Sequence, residues 1–197
     1  MKITQFDVTP IQRRGLILQI RTDEGLTGIG APMNYEHGRT IERAIRDMSD
    51  YLIGKDPRQI EDHWQVLFRS SYSRQMPILL AALSGIDMAC LDILGQSLGA
   101  PIWRLLGGSV RQKIRVYSST GGPEPEKYAE GALRAVERGF TAVKMCPFPE
   151  PVRFIDTPAM VDKTIRRVAA VREAVGPQID VALDFHRAVS PAMARMV

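Results

Sequence analysis

From about residue 114 onward the chain alternates short apolar runs with longer stretches of helical period, and this alternation restricts its fold more than any other feature. Ile114–Ser119, Ala142–Met145 and Ile179–Asp184 read as strands. Between them lie two helical segments. Pro125–Arg138 is closed by Gly139, and Pro158–Val175 carries Val161, Ile165, Val168 and Val175 on its inner stripe. Ser190 then caps a further helix. A β-α-β-α-β order implies parallel strands joined by right-handed crossovers. A complete (β/α)₈ barrel takes about 200 residues at the least, so a chain of 197 residues with another domain in front is expected to hold only the opening of one.

The first half has a different rhythm. Ile3–Val8, Leu16–Arg21 and Leu26–Ile29 read as strands, the last two joined by the hairpin signal Thr22-Asp23-Glu24-Gly25. Ile41, Ala44, Ile45, Met48 and Leu52 then form one helical stripe that ends at Gly54. A second helix is expected from Asp56-Pro57, burying Ile60, Trp64 and Leu67, and a third from about Pro77 to Leu98, apolar nearly all round. The expected organisation is an α+β domain over residues 1–112 and a partial β/α domain over 113–197.

Composition removes several function classes. The chain has 26 Lys and Arg against 22 Asp and Glu, a net charge of +4 spread along its length with no basic block, so no nucleic-acid partner is expected. Cys90 and Cys146 lie in apolar stretches without CxxC spacing, which speaks against a disulfide scaffold or zinc site and for a cytoplasmic location. Ser84, Gly85, Asp87 and Asp92 interrupt the most apolar segment, and the N-terminus lacks a basic-then-apolar run, so no membrane partner is expected. Gly28-Ile29-Gly30 looks like the start of a dinucleotide fingerprint, but a third Gly is missing and Pro32 stands where a helix should open.

Reactive groups in parallel β/α folds gather at the C-terminal ends of the strands. The third strand ends in Asp184-Phe185-His186, a carboxylate and an imidazole two residues apart, which strand alternation would turn the same way. One reading is a hard-metal ligand beside a general acid/base; the other is a loop cap and a solvated histidine. Lys144, between apolar neighbours at the end of the second strand, sits either at the rim or in the site, where it would bind a substrate carboxylate. Cys146 reads better as an inert buried thiol than as a nucleophile. His63 reads as a packed or surface histidine, and Asp87 and Asp92, five apart, as separate structural groups. Tyr35 and His37, with Tyr72 and Arg74, mark two polar and aromatic loops that either touch a ligand or form ordinary surface.

Taken together, Leu83–Gly95 (LSGIDMACLDILG) and Gly99–Gly108 (GAPIWRLLGG) resemble the signature that closes the N-terminal capping domain in the mandelate racemase branch of the enolase superfamily. Asp50–Pro57, Val171–Gly176 and Leu183–His186 with Val189-Ser190 look most like D-galactonate dehydratase and its acid-sugar dehydratase relatives. The resemblance implies an α+β capping domain followed by the first three β/α units of a TIM-type barrel, truncated. It implies a Mg²⁺ cofactor held by three carboxylates, of which Asp184 is the first, His186 as the general acid for the departing 3-hydroxyl, and Lys144 as the first lysine of a Lys-x-Lys motif. Cys146 replaces the second lysine of that motif, the base of the racemases. Arg187-Ala188 replace the Gly-Arg of the galactonate enzyme. The implied partner is a small-molecule sugar acid, with His37, Tyr72 and Arg74 in the specificity loops and a homo-oligomer in the full-length protein. A non-catalytic fragment or interaction module, whose open strand edge pairs with another surface, stays beside this reading, as does a racemase or epimerase of the same superfamily.

Overall fold

Along the strand β2 (Gly15–Thr22), Leu16, Leu18 and Ile20 are buried while Arg21 is exposed, the alternation of a sheet with one covered face. It pairs antiparallel with β1 (Ile3–Ile11) on one side and β3 (Thr27–Gly30) on the other. The computed structural model describes residues 1–11, 15–33, 36–69, 77–148, 157–186 and 189–197. They form two compact units, Met1–Val110 and Arg111–Val197. β1 runs past the expected Val8 to Ile11, through Pro10. Proline is tolerated there because β1 is an edge strand and the missing N–H costs no ladder bond.

The covered face of this sheet packs on α1 (Gly38–Leu52) and α3 (Pro77–Ser97), with α2 (Ile60–Arg69) against α3. The core joins Leu18 and Ile20 of the sheet to Ile41, Ile45 and Leu52 of α1 and to Ile86, Ala89 and Ile93 of α3. By length and hydropathy α3 is apolar enough to cross a bilayer; here it is the packing centre of the unit. Gly28 and Gly30 explain its close approach: a Cβ on either would overlap the carbonyl oxygen of Ala89 or Gly85 on α3. The same helix satisfies the free edge of β3. The Ile29 N–H donates to Asp92 Oδ2 at 2.9 Å, and Gln96 Nε2 donates to the Thr27 carbonyl at 2.8 Å.

Two expectations for this unit need correction. α2 begins at Ile60 instead of Asp56-Pro57, because the Asp56 carboxylate accepts the Arg58 N–H and guanidinium and closes a separate turn. The buried residue of α2 is His63, while Trp64 is only partly covered and stacks on Phe68. His63 bridges Tyr51 Oη at 3.3 Å and the Asp56 carbonyl at 2.8 Å, so both ring nitrogens are engaged. A short helix, α4 (Ile102–Leu105), follows α3.

The second unit holds a parallel sheet in the order β4 (Ser118–Thr120), β5 (Ala142–Met145), β6 (Asp180–Leu183), connected through α5 (Pro125–Glu137) and α6 (Pro158–Val175). Val143, Met145, Val181 and Leu183 pack on Tyr128, Ala132 and Ala135 of α5 and on Val168, Val171 and Val175 of α6. Both helices therefore cover one face, and Ser119, Lys144 and Ala182 point to the other. Gly139, at φ 90, closes α5 as expected, and Ser190 Oγ accepts the Met193 N–H at the start of α7 (Pro191–Ala194).

Two more corrections arise here. β4 is shorter than the expected Ile114–Ser119, because β5 offers partners only to Ser118–Thr120. Upstream, Arg115 substitutes side-chain bonds, to the Thr141 hydroxyl and carbonyl and to Asp180. Ile165 is exposed, and the inner stripe of α6 runs Val161, Thr164, Val168, Val171, with Arg167 fully buried beside it.

Candidate functional site

The helix-free face of the parallel sheet carries a cluster of charge at its C-terminal end. Lys144 lies one residue before the end of β5, and alternation turns it away from the helices that bury Val143 and Met145. Asp184 follows β6 directly, and its N–H still donates to the Met145 carbonyl at 2.9 Å, so the strand pairing carries it alongside β5. Lys144 Nζ donates to Asp184 Oδ2 at 3.0 Å. His186 Nε2 lies 3.0 Å from the same oxygen.

Strand alternation is not what aims His186 there. β6 ends at Leu183, and His186 adopts a left-handed conformation at φ 45, uncommon for a side-chain-bearing residue. What holds the turn is Asp184 itself, whose Oδ1 accepts the His186 N–H at 2.9 Å. One carboxylate thus shapes the loop with one oxygen and gathers an ammonium and an imidazole on the other. The loop-capping alternative is what Asp184 Oδ1 performs, while Oδ2 meets Lys144 and His186.

The electrostatics follow from these bonds. The His186 N–H, then the Lys144 ammonium, hold the Asp184 carboxyl below the usual carboxylate range. The bond to Asp184 in turn raises Lys144 above the ordinary lysine value. Lys144 and Asp184 are therefore ionised at neutral pH. Lys144 is mostly covered while His186 is 58% exposed, so the imidazole is the accessible member of the cluster.

As a donor set, the cluster fits one position of a hard-cation site. Asp184 offers a carboxylate oxygen of the kind magnesium takes. Among the described residues no group of three His, Cys, Asp or Glu converges as a metal site.

His37 is an exposed residue at the N-cap of α1 in the first unit, where it lines a cleft of about 440 Å³ with Pro10, Leu16, Arg39 and Thr40. Tyr35, Tyr72 and Arg74 lie outside the described residues, as do Arg187 and Ala188. The thiol of Cys146 lies 3.8 Å from the Phe148 carbonyl, and that of Cys90 is buried and pushed up to about 12. Asp87 and Asp92 do act separately: Asp92 caps the β3 edge, and burial raises the Asp87 carboxyl.

Sequence reasoning missed Tyr128 and Arg167, the two largest fully buried side chains of the second unit. The signal was available. Each is a polar residue on an otherwise small or apolar stripe, Tyr128 with Ala132 and Ala135, and Arg167 with Thr164 and Val171.

Against known families, residues 4–107 match the N-terminal domain of mandelate racemase / muconate lactonizing enzyme. The chain belongs to that family. Residues 127–197 match the enolase C-terminal domain-like family, so the mandelate racemase/muconate lactonizing assignment extends across both units. Among solved structures, a member of the enolase superfamily from Salmonella Typhimurium is 30% identical with a TM-score of 0.90, over 98% of this chain and 56% of that one. A candidate dehydratase from Mesorhizobium loti is 31% identical with a TM-score of 0.85, over 94% and 53%. A candidate galactarate dehydratase from Agrobacterium radiobacter, bound to sodium and L-malate, is 25% identical with a TM-score of 0.85, over 100% and 51%. The chain thus spans a little over half the length of these relatives.

Proposed function

We propose that the chain supplies the capping domain and the first three β/α units of a TIM-type barrel in a Mg²⁺-dependent acid-sugar dehydratase. The observation that carries this reading is the meeting of Lys144, Asp184 and His186 on one carboxylate oxygen at the C-terminal end of parallel strands. Family membership and the dehydratase naming of similar structures support it.

In this reading Lys144 binds the carboxylate of the sugar acid, and Asp184 is one of the carboxylates that hold the cation. The cation, when bound, supplies electrostatic stabilisation for the negative charge that develops on the substrate carboxylate when a base from a later strand of the complete barrel takes the proton alpha to it. His186 is the general acid. With Nε2 engaged by Asp184, Nδ1 is the ring nitrogen left to serve the departing 3-hydroxyl, because hydroxide alone leaves poorly; such assistance is worth roughly 10²–10⁴ in rate. Cys146 stands where a racemase of this family carries its basic lysine, which favours elimination over racemisation. The products are water and a 2-keto-3-deoxy acid.

The test uses the complete polypeptide with a panel of aldonates and aldarates, with and without Mg²⁺, scored by semicarbazone formation from the 2-keto-3-deoxy product. Magnesium-dependent product from at least one sugar acid is expected. His186→Asn should still exchange the alpha proton in D₂O while losing elimination. No product from any sugar acid by an intact barrel overturns the reading.

A further inference from the structure

Among the described residues of the second unit, the most deeply buried charge, Arg167, is not a member of the Lys144–Asp184–His186 cluster. Arg167 on α6 is 0% exposed, and its guanidinium reaches backbone carbonyls beyond the ends of two strands. Nη1 donates to the Pro147 carbonyl at 2.8 Å and Nη2 to the Pro123 carbonyl at 2.9 Å. Pro147 lies just past β5 and Pro123 just past β4, so one planar fork ties together the loops that leave the C-terminal ends of two neighbouring strands. Tyr128 of α5 completes the arrangement. Its ring lies 5.7 Å from the guanidinium carbon, and its hydroxyl donates to the Cys146 carbonyl at 2.8 Å.

Two successive carbonyls, of Cys146 and Pro147, are therefore pinned directly after β5. Lys144 is two residues upstream of the first of them. An apolar side chain would fill the volume of Arg167 without the cost of burying a guanidinium, so packing does not account for it. Fixed loop geometry does, because both donor directions of the fork are set by one rigid plane.

We propose that Arg167, with Tyr128, is a positioning residue of the candidate site: it locks the exits of β4 and β5 so that Lys144 is presented to Asp184 and to substrate. Neither side chain touches the reacting atoms. The inference rests on the dehydratase reading for its catalytic consequence only; the locking of the strand exit is tested separately.

Cys146 is a natural reporter, since it follows Lys144 by two residues, its own carbonyl is one of the two pinned and its thiol is only half-buried, whereas Cys90 is buried in the other unit. In the complete protein, Tyr128→Phe removes one bond and leaves the ring on the guanidinium, and Arg167→Lys leaves an ammonium that cannot span both carbonyls. Labelling with a dithionitrobenzoate reagent, read peptide by peptide by mass analysis, should show Cys146 modified about tenfold faster in both variants, the loosening expected for one lost buried hydrogen bond. Cys90 should stay unmodified. In the aldonate assay kcat should fall more than KM changes, with Arg167→Lys retaining more activity than Arg167→Met.

Faster Cys146 labelling without turnover of any sugar acid by the wild-type protein would reject the dehydratase reading and leave the positioning role standing. Unchanged Cys146 labelling in Tyr128→Phe and Arg167→Lys overturns the positioning role, whatever the activity. Should Arg167→Met fail to fold, Tyr128→Phe decides.

Discussion

The two units solve the problem of a small sheet in opposite ways. In the first, α3 covers the sheet and also caps its free edge through Asp92 and Gln96, so the polar backbone there is answered from within the unit. In the second, α5 and α6 cover one face only, and among the described residues the outer edges of β4 and β6 pair with no other strand. The charged cluster lies at the end of that bare face. A closed, apolar interface between helix and sheet leaves no room for ammonium, carboxylate and imidazole groups, whereas an open strand end solvates them and leaves them reachable. The first unit closes its sheet by packing, and the second leaves a charged cluster on the face its own helices do not cover.

This contrast can be broken from either side. Asp184→Asn removes the charge that gathers Lys144 and His186, and should lower dehydration by the complete protein on the order of 10³-fold. Its thermal midpoint should move by less than about 2 °C, since Asn keeps an oxygen for the His186 N–H and the carboxylate it replaces is about a third exposed. Turnover kinetics and calorimetry on the same sample check both halves. Gly30→Ala acts in the other unit: the added Cβ overlaps the Gly85 carbonyl and must push α3 off β3. Urea unfolding should register a loss of about 3 kcal/mol or more.

Legibility from sequence followed the same division. Where a residue's partners were local, the reading was close: the stripe of α1, the Gly139 and Ser190 caps, and the strand at Ala142–Met145 coincide with the structure. Where partners were distant, it failed in recognisable ways. The length of β4 depends on how many residues β5 offers, which no feature of residues 114–117 reveals. His186 reaches Asp184 through a turn that the carboxylate itself builds, whereas the period-two alternation expected to aim it stops with the strand at Leu183. Arg167 interrupts the small and apolar stripe of α6, but nothing in the residues around it reveals its partners, two proline carbonyls from separate loops.

Smaller effects sharpen the account of the first unit. Asp92→Ala leaves the Ile29 N–H without its acceptor against α3 and should cost about 1–2 kcal/mol, measured by urea unfolding. Asp56 predicts a pH dependence. The Arg58 side chain lowers its carboxyl from the ordinary 3.8 to about 2. A depressed folded value means that the Asp56–Arg58 pair stabilises above the unfolded value near 3.8 and that the contribution is lost as pH falls through about 2. The pair is partly exposed, so the change should be at most about 1 kcal/mol, and Asp56→Asn should remove that part of the acid limb from the unfolding profile.

The most direct measurement is a crystal structure of the complete protein with an aldonate bound. It should show the sugar carboxylate within hydrogen-bond reach of Lys144 Nζ and a hydroxyl beta to it within reach of the His186 ring, with Asp184 between the two side chains. A ligand seated elsewhere, or Lys144 and His186 turned to opposite sides of Asp184, would contradict the account.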